Sequence, residues 1–464
     1  MSADLCFQPA TALATLMRNR ELSPVELIEA LLVRISALNP ALNAYVTVDT
    51  EQVLADARRS EQALLDGDTM GRLHGVPFAV KDLLYTKDLR CTGGCRAFAE
   101  FVPEHDALAV ARLRAAGGIL LGKTNTPEFG FKSTTENDLF GTTNNPWNVN
   151  LTAGGSSGGA GAATAAGIAP LSLGTDAGGS IRTPASFCGI VGFKPTFGRV
   201  PNGPGFGGGA SIVHSGPMTR TVADSALMFD VMAGVAESDR RSVPAGESNA
   251  AASDGLRVAY SADLGYAAVD AQVSRCVESA LQQTQSLGWD IDTAPLALDD
   301  PQAVFNTIIR AENYVANHAL VAQHGDQIDA DMRAFTENGA NISAFEYLAA
   351  MAARDKLCMQ LAAVFERFDL LITPTLAVPP FAHGERPVEV AGRAISGMSW
   401  LSFTYPFNLT GNPALSIPAG WTDDNLPIGL QIIGPRFSDN LVLRAGAAVE
   451  AVLGWTKRRP PLAT

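Results

Sequence analysis

Two glycine-flanked serine clusters lie between residues 152 and 182, and this stretch constrains the fold more than any other part of the chain. The first cluster reads Gly-Gly-Ser-Ser-Gly-Gly (154–159), and the second reads Gly-Thr-Asp-Ala-Gly-Gly-Ser-Ile-Arg (174–182). Glycine lets the backbone approach other groups closely and adopt a positive φ. A serine in such a setting presents its hydroxyl beside main-chain N–H groups, as acyl transfer requires. The stretch therefore predicts a nucleophilic site on a tightly packed backbone.

The composition is that of a compact enzyme. Of the 464 residues, 47% are apolar and 17% charged, which is enough apolar material for a large core. The net charge of −13 argues against a nucleic-acid partner, because a phosphate-binding surface needs an excess of basic residues. The sequence has no signal-type segment and no apolar run long enough to span a bilayer. We therefore expect a cytoplasmic protein with no membrane partner.

Helical and strand patterns alternate along the chain and predict an α/β sandwich over one sheet. One helix is predicted to begin at Ser23, with Pro24 in its first turn, and to end at Asn39-Pro40. We expect one domain spanning 1–464. Its predicted parts are a helical N-terminal layer (1–70), a catalytic core (71–234), a more variable and partly helical cap region (235–400), and a C-terminal return to the sheet (401–464).

Two other site patterns are weak. Residues 117–124 match the phosphate-loop pattern G-x-x-x-x-G-K-T, but a helix precedes them and the variable positions read as an apolar strand, whereas a phosphate loop follows a strand and opens a helix. Cys91 and Cys95 are closely spaced, but no second pair accompanies them to complete a zinc site. No metal and no other cofactor is therefore expected.

Residues 155–159 also fit G-x-S-x-G, the nucleophile elbow of α/β-hydrolases, with Ser157 as the nucleophile. Such an enzyme needs a later acid and then a histidine. Several histidines follow in the chain, namely His214, His318, His324 and His383. An esterase that uses Ser157 and one of these histidines therefore stays open as an alternative on the pattern alone.

Taken together, the motifs resemble those of the amidase signature family. Besides the two serine clusters, the chain carries Phe-Cys-Gly-Ile-Val-Gly-Phe-Lys-Pro-Thr (187–196) and Val-Pro-Phe-Ala-Val-Lys-Asp (76–82). The resemblance covers almost the whole chain and weakens between about 235 and 400. It implies a free-standing bacterial-type amidase whose fold is an α/β/α sandwich around a central mixed sheet, with a helical N-terminal layer and a helical cap insertion.

The same resemblance implies the catalytic roles. Ser180 would be the nucleophile, Ser156 a bridging serine on a cis peptide bond, and Lys81 the base. The implied oxyanion hole consists of the main-chain N–H groups of Ala177, Gly178, Gly179 and Ser180. Four further side chains would orient this network: Ser157, Thr175, Asp176 and Arg182. The scheme requires a neutral lysine, yet a lysine at the end of an apolar strand is ordinarily a surface charge, so it also requires that Lys81 be buried.

Aromatic residues indicate an apolar acyl or aryl pocket. The predicted pocket residues are Phe129, Phe131 and Phe206, with further candidates in Trp400, Phe403, Tyr405 and Phe407. The expected substrate is a small amide or anilide, or a related aryl carbamate or ester. Because dimers are common in the resembled family, we also expect a homodimer.

Two further alternatives concern the branch of the family. One branch serves as the glutaminase component of a tRNA-dependent amidotransferase, and there the segment after Lys-Pro-Thr usually continues Tyr-Gly-Arg-Val-Ser-Arg-Tyr-Gly-Leu. This chain instead reads Phe-Gly-Arg-Val-Pro-Asn-Gly-Pro (197–204), which argues against glutamine as substrate and against a partner protein of that kind. A non-catalytic binding relative is disfavoured because Lys81, Ser156 and Ser180 are all present.

Overall fold

A computed structural model of the protein describes residues 3–68, 70–246, 255–293 and 296–463. Within these ranges, eleven strands form one sheet. In chain order they are β1 (Tyr45–Thr47), β2 (Pro77–Lys81), β3 (Ile119–Thr124), β4 (Leu171–Asp176), β5 (Val191–Lys194), β6 (His214–Thr219), β7 (Arg257–Tyr260), β8 (Asp290–Asp292), β9 (Leu370–Pro374), β10 (Ala414–Trp421) and β11 (Pro427–Ile433). Their order across the sheet is β1-β3-β2-β4-β6-β5-β10-β11-β9-β7-β8.

The sheet is mixed. Strand β2 pairs in parallel with β3 on one side and with β4 on the other, and β7 pairs in parallel with β8 and β9. Between these two parallel parts, the successive pairs β4–β6, β6–β5, β5–β10, β10–β11 and β11–β9 are all antiparallel. Among the described residues, three short two-stranded ribbons lie outside the sheet: Glu136–Asn137 with Gly141–Thr142, Asn144–Asn145 with Asn148–Thr152, and Glu389–Val390 with Arg393–Ala394.

Helices cover both faces of the sheet. In chain order they are α1 (Ala3–Cys6), α2 (Ala10–Arg18), α3 (Pro24–Leu42), α4 (Thr50–Asp66), α5 (Leu108–Ala115), α6 (Gly158–Ala165), α7 (Arg182–Cys188), α8 (Val222–Met232), α9 (Ala271–Thr284), α10 (Gln302–His324), α11 (Ala330–Gly339), α12 (Ala344–Arg367), α13 (Tyr405–Leu409) and α14 (Asp439–Leu453). Helices α5, α8, α9 and α14 share one apolar core with the sheet. Helices α2, α3, α4 and α6 share a second, and α10 and α12 contribute to a third. The predicted α/β/α sandwich is confirmed.

One predicted helix end is wrong. Helix α3 continues past Asn39 and includes Pro40 before it ends at Leu42. Proline in the last turn removes a single backbone hydrogen bond. The side chain of Asn39 holds that turn through hydrogen bonds with the backbone of Ala44 and Tyr45. Asn43 then takes a left-handed conformation (φ 50°) and its N–H bonds the carbonyl of Asn39, which ends the helix. Among the described helices, none combines the length and the hydropathy that crossing a bilayer requires.

The alternation of side chains along β2 determines the face of the sheet to which its last residue, Lys81, points. Phe78 and Val80 belong to the core shared with α5 and α8, whereas Ala79 belongs to the core shared with α3 and α6. Because successive side chains of a strand point to opposite faces, Lys81 follows Ala79 to the side of α6. The start of α6 carries the first serine cluster, so the strand aims its lysine at that cluster.

Candidate active site

Lys81 is fully buried and is held by two hydroxyl groups. Its Nζ donates to Ser156 Oγ at 2.6 Å and to Thr175 Oγ1 at 2.9 Å. Burial lowers the pKa of the ammonium to about 7, and the nearby carboxylate of Asp176 opposes that shift in part. A large share of the lysine is therefore neutral at neutral pH, and a neutral amine can accept a proton.

Ser156 lies just before α6, in a segment whose backbone packs closely against neighbouring backbone. The peptide bond between Gly155 and Ser156 is cis. A Cβ atom on Gly155 would lie 2.6 Å from the carbonyl of Thr134, so only glycine fits at this position. The helix behind it is equally close to its neighbours, since a Cβ on Gly159 would lie 2.3 Å from the backbone nitrogen of Asn125. Packing of backbone against backbone thus explains the glycines of the first cluster.

The second cluster begins within β4, and the loop after that strand brings Ser180 to the same cavity as Ser156. Ser180 is half-buried, and its carbonyl accepts the N–H of Ser157 at 3.2 Å, which joins the two clusters. The two serines and Lys81, separated widely in sequence, are therefore brought together. The structure links Lys81 to Ser156 by a direct hydrogen bond, and Ser156 and Ser180 both line the cavity.

The predicted oxyanion hole needs one correction. The N–H of Gly179 is donated to Asp176 Oδ1 at 2.7 Å, so it is not available to a substrate. Within the described residues, the N–H groups of Ala177, Gly178 and Ser180 have no hydrogen-bond acceptor. These three groups remain candidates. Sequence reasoning could not separate them from Gly179, because all four belong to one short loop.

Asp176 and Arg182 form a buried pair beneath that loop. Arg182 donates Nε to Asp176 Oδ2 at 3.0 Å and Nη2 to Oδ1 at 2.9 Å, and Asn408 donates to Oδ1 at 2.8 Å. Burial alone would raise the pKa of Asp176, but the guanidinium and these hydrogen bonds hold it well below its ordinary value. The ionised carboxylate then fixes the backbone of Gly179 and Ile181 on either side of Ser180.

Ser157 is fully buried and bonded to the backbone. Its Oγ donates to the carbonyl of Thr175 at 3.2 Å. The histidines that follow in the chain form hydrogen bonds with groups other than Ser157. His214 bonds Ile212, Asp176, Lys194 and Asn408, His318 bonds Tyr314, and His383 bonds Val149. No serine–histidine pair of the kind that an α/β-hydrolase uses is formed at Ser157 in the described part of the chain.

A cavity of about 680 Å³ opens beside the two serines. The three predicted pocket residues Phe129, Phe131 and Phe206 all line it, and the rings of Phe129 and Phe206 stack with centroids 5.6 Å apart. The further aromatic candidates do not line it. They are buried in the core instead, and they are Trp400, Phe403, Tyr405 and Phe407.

The sequence analysis did not predict that helices α10 and α12, within the region 235–400, contribute side chains to the cavity wall. Helix α10 lines the cavity through Phe305, Ile309 and Glu312, and α12 contributes Tyr347. The spacing of Phe305 and Ile309 was a usable signal for one helix face. Nothing in the sequence tells which of the cap helices turns such a face toward the serine clusters.

Cys91 and Cys95 are both buried beside other titratable side chains. Cys91 lies beside Lys123 and Cys95 beside Glu128, and burial raises the pKa of each thiol to about 12. In the ranges that the structure describes, no group of three or more His, Cys, Asp or Glu side chains is arranged to hold a metal ion.

Comparison with known proteins gives a consistent result. The family model described as Amidase matches residues 26–443. An acylamidase from Rhodococcus erythropolis is 39% identical over 462 residues, which cover 97% of this chain and 96% of that protein. A component of the glutamyl-tRNA(Gln) amidotransferase of Geotalea daltonii is 36% identical over 476 residues, covering 96% and 97%. A solved bacterial aryl acylamidase of the amidase signature enzymes has a TM-score of 0.89 at 30% identity and covers 97% of both chains.

Proposed function

The chain belongs to the amidase family and hydrolyses amides, and from that premise we propose that it is a free-standing amidase that uses Ser180, Ser156 and Lys81 as its catalytic triad. The observation that carries the proposal is the environment of Lys81. It combines complete burial, a pKa near 7 and a 2.6 Å hydrogen bond to a serine on the cavity wall.

In the first step Ser180 attacks the amide carbonyl. A serine hydroxyl is a weak nucleophile, so it needs a proton acceptor. Neutral Lys81 takes the proton of Ser156, and Ser156 takes that of Ser180. The Oγ of Ser180 thereby forms a bond to the carbonyl carbon, and the carbonyl oxygen gains negative charge. The N–H groups of Ala177, Gly178 and Ser180 are the groups that support this oxyanion.

The same relay then runs in reverse. The amide nitrogen must be protonated before it leaves, because an amide anion is too poor a leaving group. Protonated Lys81 returns its proton through Ser156 to that nitrogen, the carbon–nitrogen bond breaks, and an ester of Ser180 remains. A water molecule, deprotonated by the same relay, then hydrolyses this ester and restores the enzyme.

The lining of the cavity supports a substrate that carries an apolar acyl or aryl group. Its walls carry the rings of Phe129, Phe131 and Phe206, which favour burial of apolar surface. The similar proteins named an acylamidase and an aryl acylamidase fit this substrate class. Aryl carbamates and esters share the same acyl-transfer chemistry and belong to the same proposal. The expected homodimer remains a prediction, which the molar mass in solution would test.

A second candidate is the glutaminase of a tRNA-dependent amidotransferase. It is supported by the 36% identity to a component of a glutamyl-tRNA(Gln) amidotransferase. The aromatic walls of the cavity and the departure at residues 197–204 favour the free-standing amidase over this alternative.

A substrate panel tests the proposal. We would compare a p-nitroanilide, the matching p-nitrophenyl ester, an aryl carbamate, an aliphatic amide and glutamine, with wild type, Ser180→Ala and His383→Ala side by side. We expect hydrolysis of the anilide, abolished in Ser180→Ala and retained in His383→Ala, because the half-buried ring of His383 bonds the backbone carbonyl of Val149 and no residue of the proposed triad. Turnover that survives in Ser180→Ala would remove the nucleophile assignment. Turnover of glutamine alone would support the amidotransferase alternative.

A further inference from the structure

The cavity beside Ser180 carries a carboxylate that the proposed proton relay does not use. Glu312 lies on α10, is half-buried and lines the cavity. One of its oxygens accepts the N–H of Ser211 at 2.9 Å, and the other accepts the hydroxyl of Tyr347 at 2.8 Å. These two contacts fix the position of the carboxylate. Both partners are neutral, so they leave its negative charge without a counter-ion.

The other charged side chains of the cavity wall, unlike Glu312, each have a partner of opposite charge. Lys132 lies 3.2 Å from a carboxylate oxygen of Asp329, and Arg241 lies 3.4 Å from one of Asp239. Within the described residues, no cation lies within ion-pair distance of Glu312. A carboxylate that is partly removed from water favours a cationic partner. The cavity therefore offers an anionic position on an otherwise largely apolar wall.

Helix α10 sets the distance between this position and the reacting atoms. Near its start, Phe305 packs on the loop that carries Ser180, since a Cβ on Gly178 would lie 2.6 Å from the Phe305 ring. An α-helix rises 1.5 Å per residue, so Glu312 lies about 10 Å further along the helix axis. Between them, Ile309 contributes apolar surface to the cavity. A ligand attached to Ser180 crosses this apolar stretch before it reaches Glu312.

We propose that Glu312 selects amides whose acyl part carries a protonated amine at its far end, joined to the scissile carbonyl by an apolar chain. This inference rests on the proposed function, because it attaches the acyl part to Ser180. The acyl part stays in the cavity through both steps, whereas the leaving amine departs after the first. Glu312 is thus a specificity-determining residue and takes no part in the proton relay.

A matched pair of substrates tests the selection. In 6-aminohexanoyl-p-nitroanilide and heptanoyl-p-nitroanilide, chains of equal length end in an ammonium or in a methyl group. We would measure kcat/KM for both at pH 8 in wild type and in Glu312→Gln. The charged-to-neutral ratio should fall by about 10- to 100-fold in the variant, the range expected for loss of a charged hydrogen bond. The loss should appear chiefly in KM.

Tyr347→Phe is the matched control, because it removes a hydrogen bond to the same carboxylate and keeps the charge. It should retain most of the preference for the charged substrate, while thermal unfolding checks that both variants fold. If the heptanoyl anilide is hydrolysed by Ser180 but the ratio is the same in wild type and Glu312→Gln, the selection is overturned and the proposed function stands.

A binding measurement separates the selection from catalysis altogether. In a Ser180→Ala background, calorimetry would give the affinity for 6-aminohexanoyl-p-nitroanilide with and without Glu312→Gln. We expect the second substitution to weaken binding by about 10- to 100-fold. Equal affinities would overturn the inference even if the protein hydrolysed neither anilide.

Discussion

Two lysines at neighbouring positions of the sheet are equally buried and have different surroundings. Lys81 ends β2, Lys123 lies on the adjacent strand β3, and both have no exposed surface. Lys81 is bonded to the hydroxyl groups of Ser156 and Thr175. Lys123 is bonded to the carbonyl of Leu84 and other polar groups of the core.

Asp82 makes the difference between them. It follows Lys81 in the chain, but its side chain faces Lys123, with Oδ1 at 3.8 Å from Nζ. Lys123 therefore has a counter-ion, whereas no carboxylate lies within ion-pair distance of Lys81 in the described residues. Burial disfavours the charged form of a lysine that has no counter-ion. We therefore propose that burial alone does not make a lysine a base, and that Lys81 acts as one because it is buried without a counter-ion beside a serine.

The largest expected effect is that of Lys81→Met. Loss of the proton acceptor should lower kcat by about 10³- to 10⁴-fold, within the range for general-base catalysis. The melting temperature should stay the same or rise, because burial of this amine opposes folding at neutral pH. Kinetics on an anilide and thermal unfolding together check this. Substantial activity in the variant would mean that another group takes the proton.

Lys123→Met should have the opposite profile. Its removal leaves the buried carboxylate of Asp82 without a counter-ion, and breaking a buried pair costs about 3–5 kcal/mol of unfolding free energy. Burial raises the pKa of Asp82 while Lys123 lowers it, so the unpaired carboxyl should take up a proton and the loss should grow with pH. Denaturant unfolding at several pH values measures this. The folded fraction should keep its kcat, and a specific loss of kcat without destabilisation would erase the contrast between the two lysines.

The pH dependence of the reaction should follow Lys81. Its pKa in the folded protein is about 7, so its neutral form is lost as the pH falls through that value. We expect kcat/KM for an anilide to fall about tenfold per unit well below pH 7 and to level off above it. A profile measured from pH 5 to 9 checks this. A level profile down to pH 5 would exclude Lys81 as the titrating base.

The smallest effect is expected for Thr175→Val. The hydroxyl of Thr175 stabilises the protonated form of Lys81, so its removal should move the inflection of the pH profile to lower pH by less than one unit. Thr86→Val is the matched change at Lys123, whose Nζ donates to Thr86 Oγ1 at 2.8 Å. That variant should alter stability and leave the pH profile where it is. A shift in both profiles would indicate that the two lysines are coupled.

The proposed triad could be chosen from the sequence because its motifs are long and specific. Lys81, Ser156 and Ser180 could be chosen from the spacing and the glycine pattern that they share with the amidase signature family. The burial of Lys81 could not be read from the same pattern, since a charge at a strand end is ordinarily exposed. It depends on α6 packing against the sheet, which is a tertiary contact.

Other features depend on contacts that no local pattern encodes. The use of the Gly179 N–H by Asp176 follows from the turn of one loop. The position of Glu312 follows from which face of α10 turns toward that loop. The burial of Trp400 in the core, away from the cavity, likewise depends on packing between distant segments. The sheet and its helical layers were predictable because helical and strand patterns alternate along the sequence. The three contacts above leave no periodic pattern in the sequence.

Labelling by a fluorophosphonate probe tests the central claim most directly, because it reports the nucleophile and its base in one experiment. Mass spectrometry would locate the modified residue, and the labelling rate would be followed from pH 5 to 9 in wild type, Lys81→Met and Lys123→Met. The account predicts modification of Ser180, a rate that rises through about pH 7, loss of labelling in Lys81→Met and retention in folded Lys123→Met. Modification of Ser156 or Ser157, or an undiminished rate in Lys81→Met, would contradict it.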